Sequence, residues 1–444
     1  MVETNDGLVA NHMQIPWREL ADKEANNLVV NASLKEKTII VGRVGLIMLS
    51  CGTGAWRVRE AMNTMARILK VYCSADIGLI SISYTCFDDV NSYTESLSLK
   101  SSGVNTDKLT NMQQFVTMFQ NEGAFLKVKD VHRLLDRIDA KKGNYTPILL
   151  GLAAALACCS FVFLLGGGPV EMLCTFFGAG LGNYTRAKMN GKHLTMFAGL
   201  AAGVAVACLT YLIFSRGLEL LFHINVAHEA GYIGAMLFAI PGFPFITSGL
   251  DLAKSDMRSG IERLIHAISI IVIATLVGWL VALASDLKPD SFLPLGLGPW
   301  LICLFRIPAS FCGVFGFSVM FNSPVKMAAT AGLIGAVANT LRLELVDLTP
   351  LPAAAAAFIG ALTAGILASL FHKRMGYPRI SLTVPAIVIM VPGLYMYRAM
   401  YYIGVGNISN GAQWFVSAMM IVLCLPLGLI VARMLMDRDW RHAG

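Results

Sequence analysis

Charged residues are scarce in this chain of 444 residues. They make up 14%, against about 25% in soluble domains. That shortage excludes a protein soluble throughout. With 56% hydrophobic residues and a mean hydropathy of +0.63, the composition specifies a polytopic membrane protein. A clustered basic patch is also lacking. The net charge of +7 is spread over short loops, which argues against a nucleic-acid partner and fits the excess of Lys and Arg on the cytoplasmic side of membrane proteins. The ten cysteines include no Cys-x-x-Cys pair and no Cys/His metal spacing. They read as small apolar packing residues in a reducing compartment, and neither a metal nor a cofactor is expected. No Walker A pattern is present, so uphill transport would draw on an ion or proton gradient. Residues 1–37 are polar, with no basic segment leading into an apolar run. A secretory signal is therefore not expected, and the soluble region should stay in the cytoplasm.

The apolar residues are unevenly distributed. Residues 1–146 read as a cytoplasmic soluble α+β domain, and nearly everything after Pro147 reads as membrane. Helical periodicity runs over 38–72 with a turn near 51–54, so two helices are expected there. An alternating stretch over 77–87 predicts a strand, and 93–99 predicts the returning strand. Residues 107–120 and 127–141 predict two amphipathic helices. Cys51 and His132 are an imaginable nucleophile–base pair, although no spacing supports it. Arg57, Arg59, Glu60 and Arg67 fall one and two turns apart, the pattern of a solvated helix face. Gly52-x-Gly54 lacks the later Gly, the Lys and the preceding strand of a phosphate loop.

A helix needs about 20 apolar residues to span a bilayer. On that measure ten spans are expected, roughly over 147–165, 170–185, 194–214, 227–247, 261–284, 299–321, 325–341, 352–371, 380–400 and 413–434. The short second span and the sixth, which contains Arg306 and Pro308, are the weakest. With the N-terminal domain inside, thirteen basic residues fall on the cytoplasmic side, and four (Arg216, Lys288, Arg342, Arg398) fall on the other. Both termini are then cytoplasmic, which requires an even number of spans.

Two of these spans carry Pro-Gly breaks, Ala239-Ile240-Pro241-Gly242-Phe243 and Met390-Val391-Pro392-Gly393-Leu394. A shift of 151 residues lays one on the other and also lays Ser259-Gly260 on Asn410-Gly411. Ten spans then divide as five plus five, 147–285 and 286–444. An odd number per repeat makes the second repeat inverted, the plan of many secondary transporters, with substrate held at the interface of paired broken helices. Backbone groups freed by such breaks survive only in protein or beside a watered cavity. Thr247, Ser248 and Asp251 follow the first break, and Tyr395, Tyr397 and Arg398 follow the second. Arg306, Asn322, Asn339 and Arg342 are the other polar groups in the spans. A central Arg usually faces the bundle interior or water, although Arg342 at a span end has snorkelling as an equal alternative. Glu171, Glu229, His223, His228 and Asp251 are the candidate proton carriers, most of them near span ends.

Several segments in order are similar to one family. Leu49-Ser-Cys-Gly-Thr-Gly-Ala-Trp-Arg57-Val-Arg-Glu60, with Met65-Ala-Arg67, resembles the opening of the threonine/serine exporter family. Pro241-Gly242 with Asp251 and then Ser259-Gly260 resembles its first membrane half. Phe321-Asn322-x-Pro324 and Val391-Pro392-Gly393-x-Tyr395-x-Tyr397-Arg398 resemble its second half. The resemblance implies an inner-membrane exporter of threonine and serine or, in the family's two-part version, of dicarboxylates such as succinate; here the two halves look fused. A hydrolase-like activity of the N-terminal domain, a passive channel and a homo-oligomer remain alternatives. The chain departs from the family after the first break, where Ile246-Thr247-Ser248-Gly249-Leu250-Asp251 lacks the usual Asn and Arg near the Asp.

Overall fold

The computed structural model describes residues 24–192, 194–222, 231–285, 287–289, 292 and 295–438. It divides into two compact units. The first reaches Lys142 and includes Asp256–Ser259; the second holds Gly143–Ser255 and Gly260–Gly444.

The first unit is α+β. Ser33 opens α1 (Leu34–Ser50), its Oγ accepting the Glu36 amide at 3.3 Å. Gly52, at φ +78°, then turns the chain into α2 (Ala55–Ile68). A methyl at Gly52 would stand 2.7 Å from the Gly103 carbonyl oxygen, so the turn needs both the left-handed backbone and the bare Cα. Three antiparallel strands follow in the order β1 (Tyr72–Ile77), β2 (Ser81–Phe87) and β3 (Ser92–Ser98). Ile77, Ile82, Tyr84, Cys86 and Leu97 are buried on one face, against which α1 and α2 pack. Next come α3 (Thr106–Glu122), capped by Asn105, and α4 (Val128–Asp139). The strand expected over 77–87 is found as β2 over Ser81–Phe87 and is corrected at its start. Gly78 donates its amide to Ser81 O at 2.8 Å, so the apolar run 77–82 is interrupted by a hairpin turn at 78–80 that joins β1 to β2. Leu79 and Ile80 in the turn hid it.

The second unit is helical. It comprises α5 (Pro147–Leu164), α6 (Pro169–Gly191), α7 (Met196–Phe222), α8 (Tyr232–Ala235), α9 (Gly242–Ala253), α10 (Met257–Ala284), α11 (Pro299–Met320), α12 (Val325–Leu348), α13 (Ala353–Met375), α14 (Arg379–Val388), α15 (Gly393–Gly404) and α16 (Ile408–Met436). Among the described residues, seven helices are long and apolar enough to cross a membrane, or nine if each of two bent pairs is one span. The bent pairs are Tyr232–Ala239 with Gly242–Ala253, at 51°, and Arg379–Val388 with Gly393–Gly404, at 49°. Helix α6 has 23 residues, about 35 Å at 1.5 Å per residue. Its Glu171, Asn183, Arg186 and Lys188 keep it off the apolar count.

The packing repeats itself. Helix α6 lies against α5, α7 and α8, while α12 lies against α11, α13 and α14. Helix α8 also meets α5 and α7, as α14 meets α11 and α13. Small residues let these helices approach closely. A methyl at Gly203 would stand 3.0 Å from Gly182 O, and one at Gly316 would stand 2.5 Å from Ala153 O, where α11 crosses α5.

Candidate functional site

Proline removes an amide and glycine removes a side chain, so each Pro-Gly pair ends one short helix and starts another. The two breaks have the same backbone. Pro241 stands at φ −82°, ψ 60° and Pro392 at φ −80°, ψ 58°. Gly242 donates to Ile240 O at 2.9 Å and Gly393 to Val391 O at 2.8 Å.

The breaks also pack on each other reciprocally. A methyl at Gly242 would meet Val388 at 2.2 Å and Val391 at 3.2 Å. One at Gly393 would meet Ile240 at 2.1 Å and Leu237 at 2.8 Å. Leu237 and Ile240 stand to Val388 and Val391 as Pro241 stands to Pro392, at the 151-residue offset. The correspondence continues outward: Gly260 packs on Leu252, and Gly411 packs on Ile403. A hydrogen bond joins the crossing limbs. Tyr232 on α8 donates its hydroxyl to that of Tyr397 on α15 at 2.6 Å, and both side chains are fully buried.

Beyond the second break, α15 carries Leu394 and Arg398 into a cavity of about 560 Å³. Apolar residues such as Phe163, Leu295 and Ile302 form much of its wall, and Arg306 of α11 supplies a second guanidinium. Arg398 lies 4.8 Å over the Trp414 ring, and its Nε donates to Pro289 O at 3.2 Å. Tyr395 packs edge-on against the same Trp414 at 5.0 Å. Arg306 is held by two carboxylates of α12, Glu344 at 2.7 Å and Asp347 at 2.5 Å. Volumes of about 300–1,000 Å³, apolar walls and a few convergent polar groups are typical of small-molecule sites.

The other expected residues lie elsewhere. Thr247 Oγ1 donates to Phe243 O at 3.0 Å, within its own helix. Ser248 Oγ donates to Gly260 O at 2.7 Å, and Asp251 pairs with Arg263 at 3.1 Å with both side chains buried. These two contacts staple α9 to α10, so Arg263, one of the thirteen basic residues assigned to the cytoplasmic side from sequence, is a buried ion-pair partner. Asn322 takes φ +63° and accepts the Asn144 amide at 2.7 Å. Asn339 donates to Ser310 Oγ at 2.9 Å, and its buried Oδ1 has no partner among the described residues. Arg342 is not at a helix end, because α12 continues to Leu348. Glu344 and Asp347, farther along the same helix, pair with Arg306. Glu171 accepts the Gly168 amide at 3.0 Å as a helix cap. His223, His228 and Glu229 lie outside the described residues.

In the first unit, Cys51 is buried, and its thiol donates to Ile47 O at 3.2 Å. Burial pushes it up to about 12. The ring nitrogens of His132 meet Glu36 Oε1 at 2.5 Å and Arg43 at 2.7 Å, and Arg43 reaches Asp136 at 2.5 Å. Arg57 corrects the solvated-face reading. It is buried, with its guanidinium 4.8 Å from the Trp56 ring, because it shares a helical stripe with Ala61 and Met65. Glu60 and Arg67 do stay exposed, and Gly52 serves the turn described above.

Sequence reasoning missed Tyr232, Arg263, Glu344, Asp347 and Trp414. The i, i+3 spacing of Glu344 and Asp347 on one helix was a usable signal for a buried cationic partner. The others come from distant parts of the chain and left no such signal.

Two family matches cover most of the chain. Residues 39–285 match the family described as a putative threonine/serine exporter, and residues 306–435 match one described as the threonine/serine exporter ThrE. The chain is 22% identical over 412 residues to a probable threonine/serine exporter of Mycobacterium tuberculosis, covering 88% of this chain and 75% of the relative. It is 26% identical over 243 residues to the probable succinate transporter subunit YjjP of Escherichia coli, covering 54% of this chain and 90% of the relative. It is also 23% identical over 400 residues to pheromone-regulated membrane protein 10 of Kluyveromyces lactis, covering 85% of this chain and 39% of that relative. No solved structure matches the chain.

Proposed function

We propose, since this chain belongs to the threonine/serine exporter family, that it is a secondary transporter exporting small hydrophilic carboxylates, threonine and serine first among them. The observation that carries this reading is the reciprocal crossing of the two Pro-Gly breaks beside a cavity that holds two guanidiniums. Paired broken helices at a repeat interface are the pattern of alternating-access carriers. In this reading α6 is the tenth span. The chain then consists of two inverted five-helix repeats, 147–285 and 286–444, with both termini cytoplasmic in an inner membrane. The cavity lies at the C-terminal end of α5 and the N-terminal end of α11, which this topology places on the outer side, where an exporter releases its substrate.

The chemistry follows from the charges. Arg398 offers a planar fork to a substrate carboxylate, and stacking on Trp414 holds that fork in place. Arg306, held between Glu344 and Asp347, forms a network with both signs of charge near the cavity, suited to a zwitterion. The crossing limbs would exchange packing partners as the cavity closes, with the proton gradient as the driving force. A dicarboxylate such as succinate is the second reading. It is favoured by the two guanidiniums and by the name of the YjjP relative, of which the match covers 90%. A hydrolytic role for the first unit gains nothing from the geometry, because the His132 nitrogens bond Glu36 and Arg43 while the Cys51 thiol is held protonated.

The test is efflux from cells preloaded with labelled threonine, serine or succinate, with and without this protein, before and after the proton gradient is collapsed. Protein-dependent efflux of one compound that stops on uncoupling is the expected result. Efflux indifferent to the uncoupler at a fixed substrate gradient would instead establish a passive channel.

A further inference from the structure

Three cysteines lie in the first unit, and two of them are partners. Cys73 on β1 faces Cys86 on β2 in the antiparallel register. The bond from the Gly78 amide to Ser81 O fixes which cross-strand pairs exchange backbone hydrogen bonds. Alternation from that point makes Ile77/Ile82, Ala75/Tyr84 and Cys73/Cys86 the pairs that do not. Pairs of that kind bring their Cα atoms to about 4.5 Å with the side chains close together, inside the range of about 4.4–6.8 Å that a disulfide bridges. Both sulfurs are on the inner face of the sheet. Cys86 is buried, while Cys73, on the edge strand, is half-buried.

We propose that Cys73 and Cys86 form an oxidisable dithiol, a reversible modification site at which peroxide closes a cross-strand disulfide within the first unit. The reaction balances within the pair. One sulfur, as its thiolate, attacks the O–O bond of hydrogen peroxide and becomes a sulfenic acid, releasing hydroxide that takes up the proton. The second sulfur then attacks the sulfenic sulfur, expels its hydroxyl and yields a second water. Two thiols are oxidised and one peroxide is reduced.

The local electrostatics favour the first step. The contact with Cys86 and burial push the Cys73 thiol up, whereas the contact with Cys73 and one with Thr38 hold Cys86 below the ordinary thiol range, against burial and the charge of Glu95. Thiolate character governs thiol oxidation. Cys51 is the internal contrast: it has no cysteine opposite it, and burial holds it as a thiol.

The test uses the full chain, purified in detergent micelles and treated with graded hydrogen peroxide. Remaining thiols are alkylated and the protein is digested for peptide mass mapping. The expected product is a linked peptide pair containing Cys73 and Cys86, two hydrogens lighter than the two thiol peptides and restored by dithiothreitol, with Cys51 unmodified. In Cys73→Ser the linked pair disappears and Cys86, lacking its resolving partner, advances to the sulfinic acid. Retention of both thiols at peroxide levels that oxidise Cys73→Ser, or linkage of either cysteine to a different one, overturns the proposal.

Discussion

Arg398 reaches the cavity with its guanidinium over Trp414, a setting in which charge and shape both count. Lysine keeps the charge but loses the planar fork and the stacking. Arg398→Ala is expected to lower labelled efflux at least tenfold, and Arg398→Lys to lower it by a smaller factor, with membrane levels of the protein unchanged. Unchanged efflux at equal expression would remove Arg398 from the transport path. The Tyr232–Tyr397 pair makes a different residue-scale prediction. Removing either hydroxyl leaves the other buried without its partner, at a cost of about 1–3 kcal/mol, whereas removing both relieves that penalty. Tyr232→Phe and Tyr397→Phe should therefore each lower the thermal midpoint in detergent, and the double variant should lose less than the sum of the two. Strict additivity would mean that the hydroxyls do not bond to each other.

At the scale of the element, the two broken helices depend on bare glycines at their crossing. Gly242→Ala and Gly393→Ala place methyls 2.2 and 2.1 Å from neighbouring side chains, and overpacking of this kind costs about 1–3 kcal/mol. The two variants should lose similar stability, because each break meets the other through equivalent residues. Gly217→Ala, with nothing within 4 Å of the added methyl, should leave the thermal midpoint within the small range of a surface change. A large loss there, or very unequal losses at the two breaks, would count against reciprocal packing. The breaks were legible in sequence because Pro-Gly is a strong local signal. Strand β1 was not, since a turn built on Gly78 but filled with Leu79 and Ile80 has the same apolar character as the strands it joins.

At the scale of the whole molecule, the topology rests on α6. If this helix spans and the first unit lies in the cytoplasm, as proposed above, the second unit crosses ten times and its C-terminus returns to the cytoplasmic side. A reporter that fluoresces only when it folds in the cytoplasm, fused after the last residue, is expected to be bright. A dark reporter at normal expression would require an odd number of crossings and would exclude the five-plus-five arrangement. Its polar residues explain why the composition alone underrates this helix. Glu171 caps the N-terminus, and Asn183 donates to Leu150 O of α5 at 2.8 Å, so part of its polarity is spent on protein contacts rather than on water.

The sequence by itself determined the membrane class, the α+β unit ahead of it, the two breaks and their common offset. Composition and local backbone chemistry act over a few residues or as averages and need no knowledge of neighbours. Tertiary structure alone decided which of the singled-out residues meet. Asp251 found Arg263, Arg306 found Glu344 and Asp347, and Arg398 came to share a cavity with Arg306, while Thr247 and Ser248 were closed off by bonds to nearby backbone. A buried charge takes whatever partner the packing brings within reach, and helix packing depends on side-chain fit between segments far apart in the chain. Residue spacing carries little record of that fit.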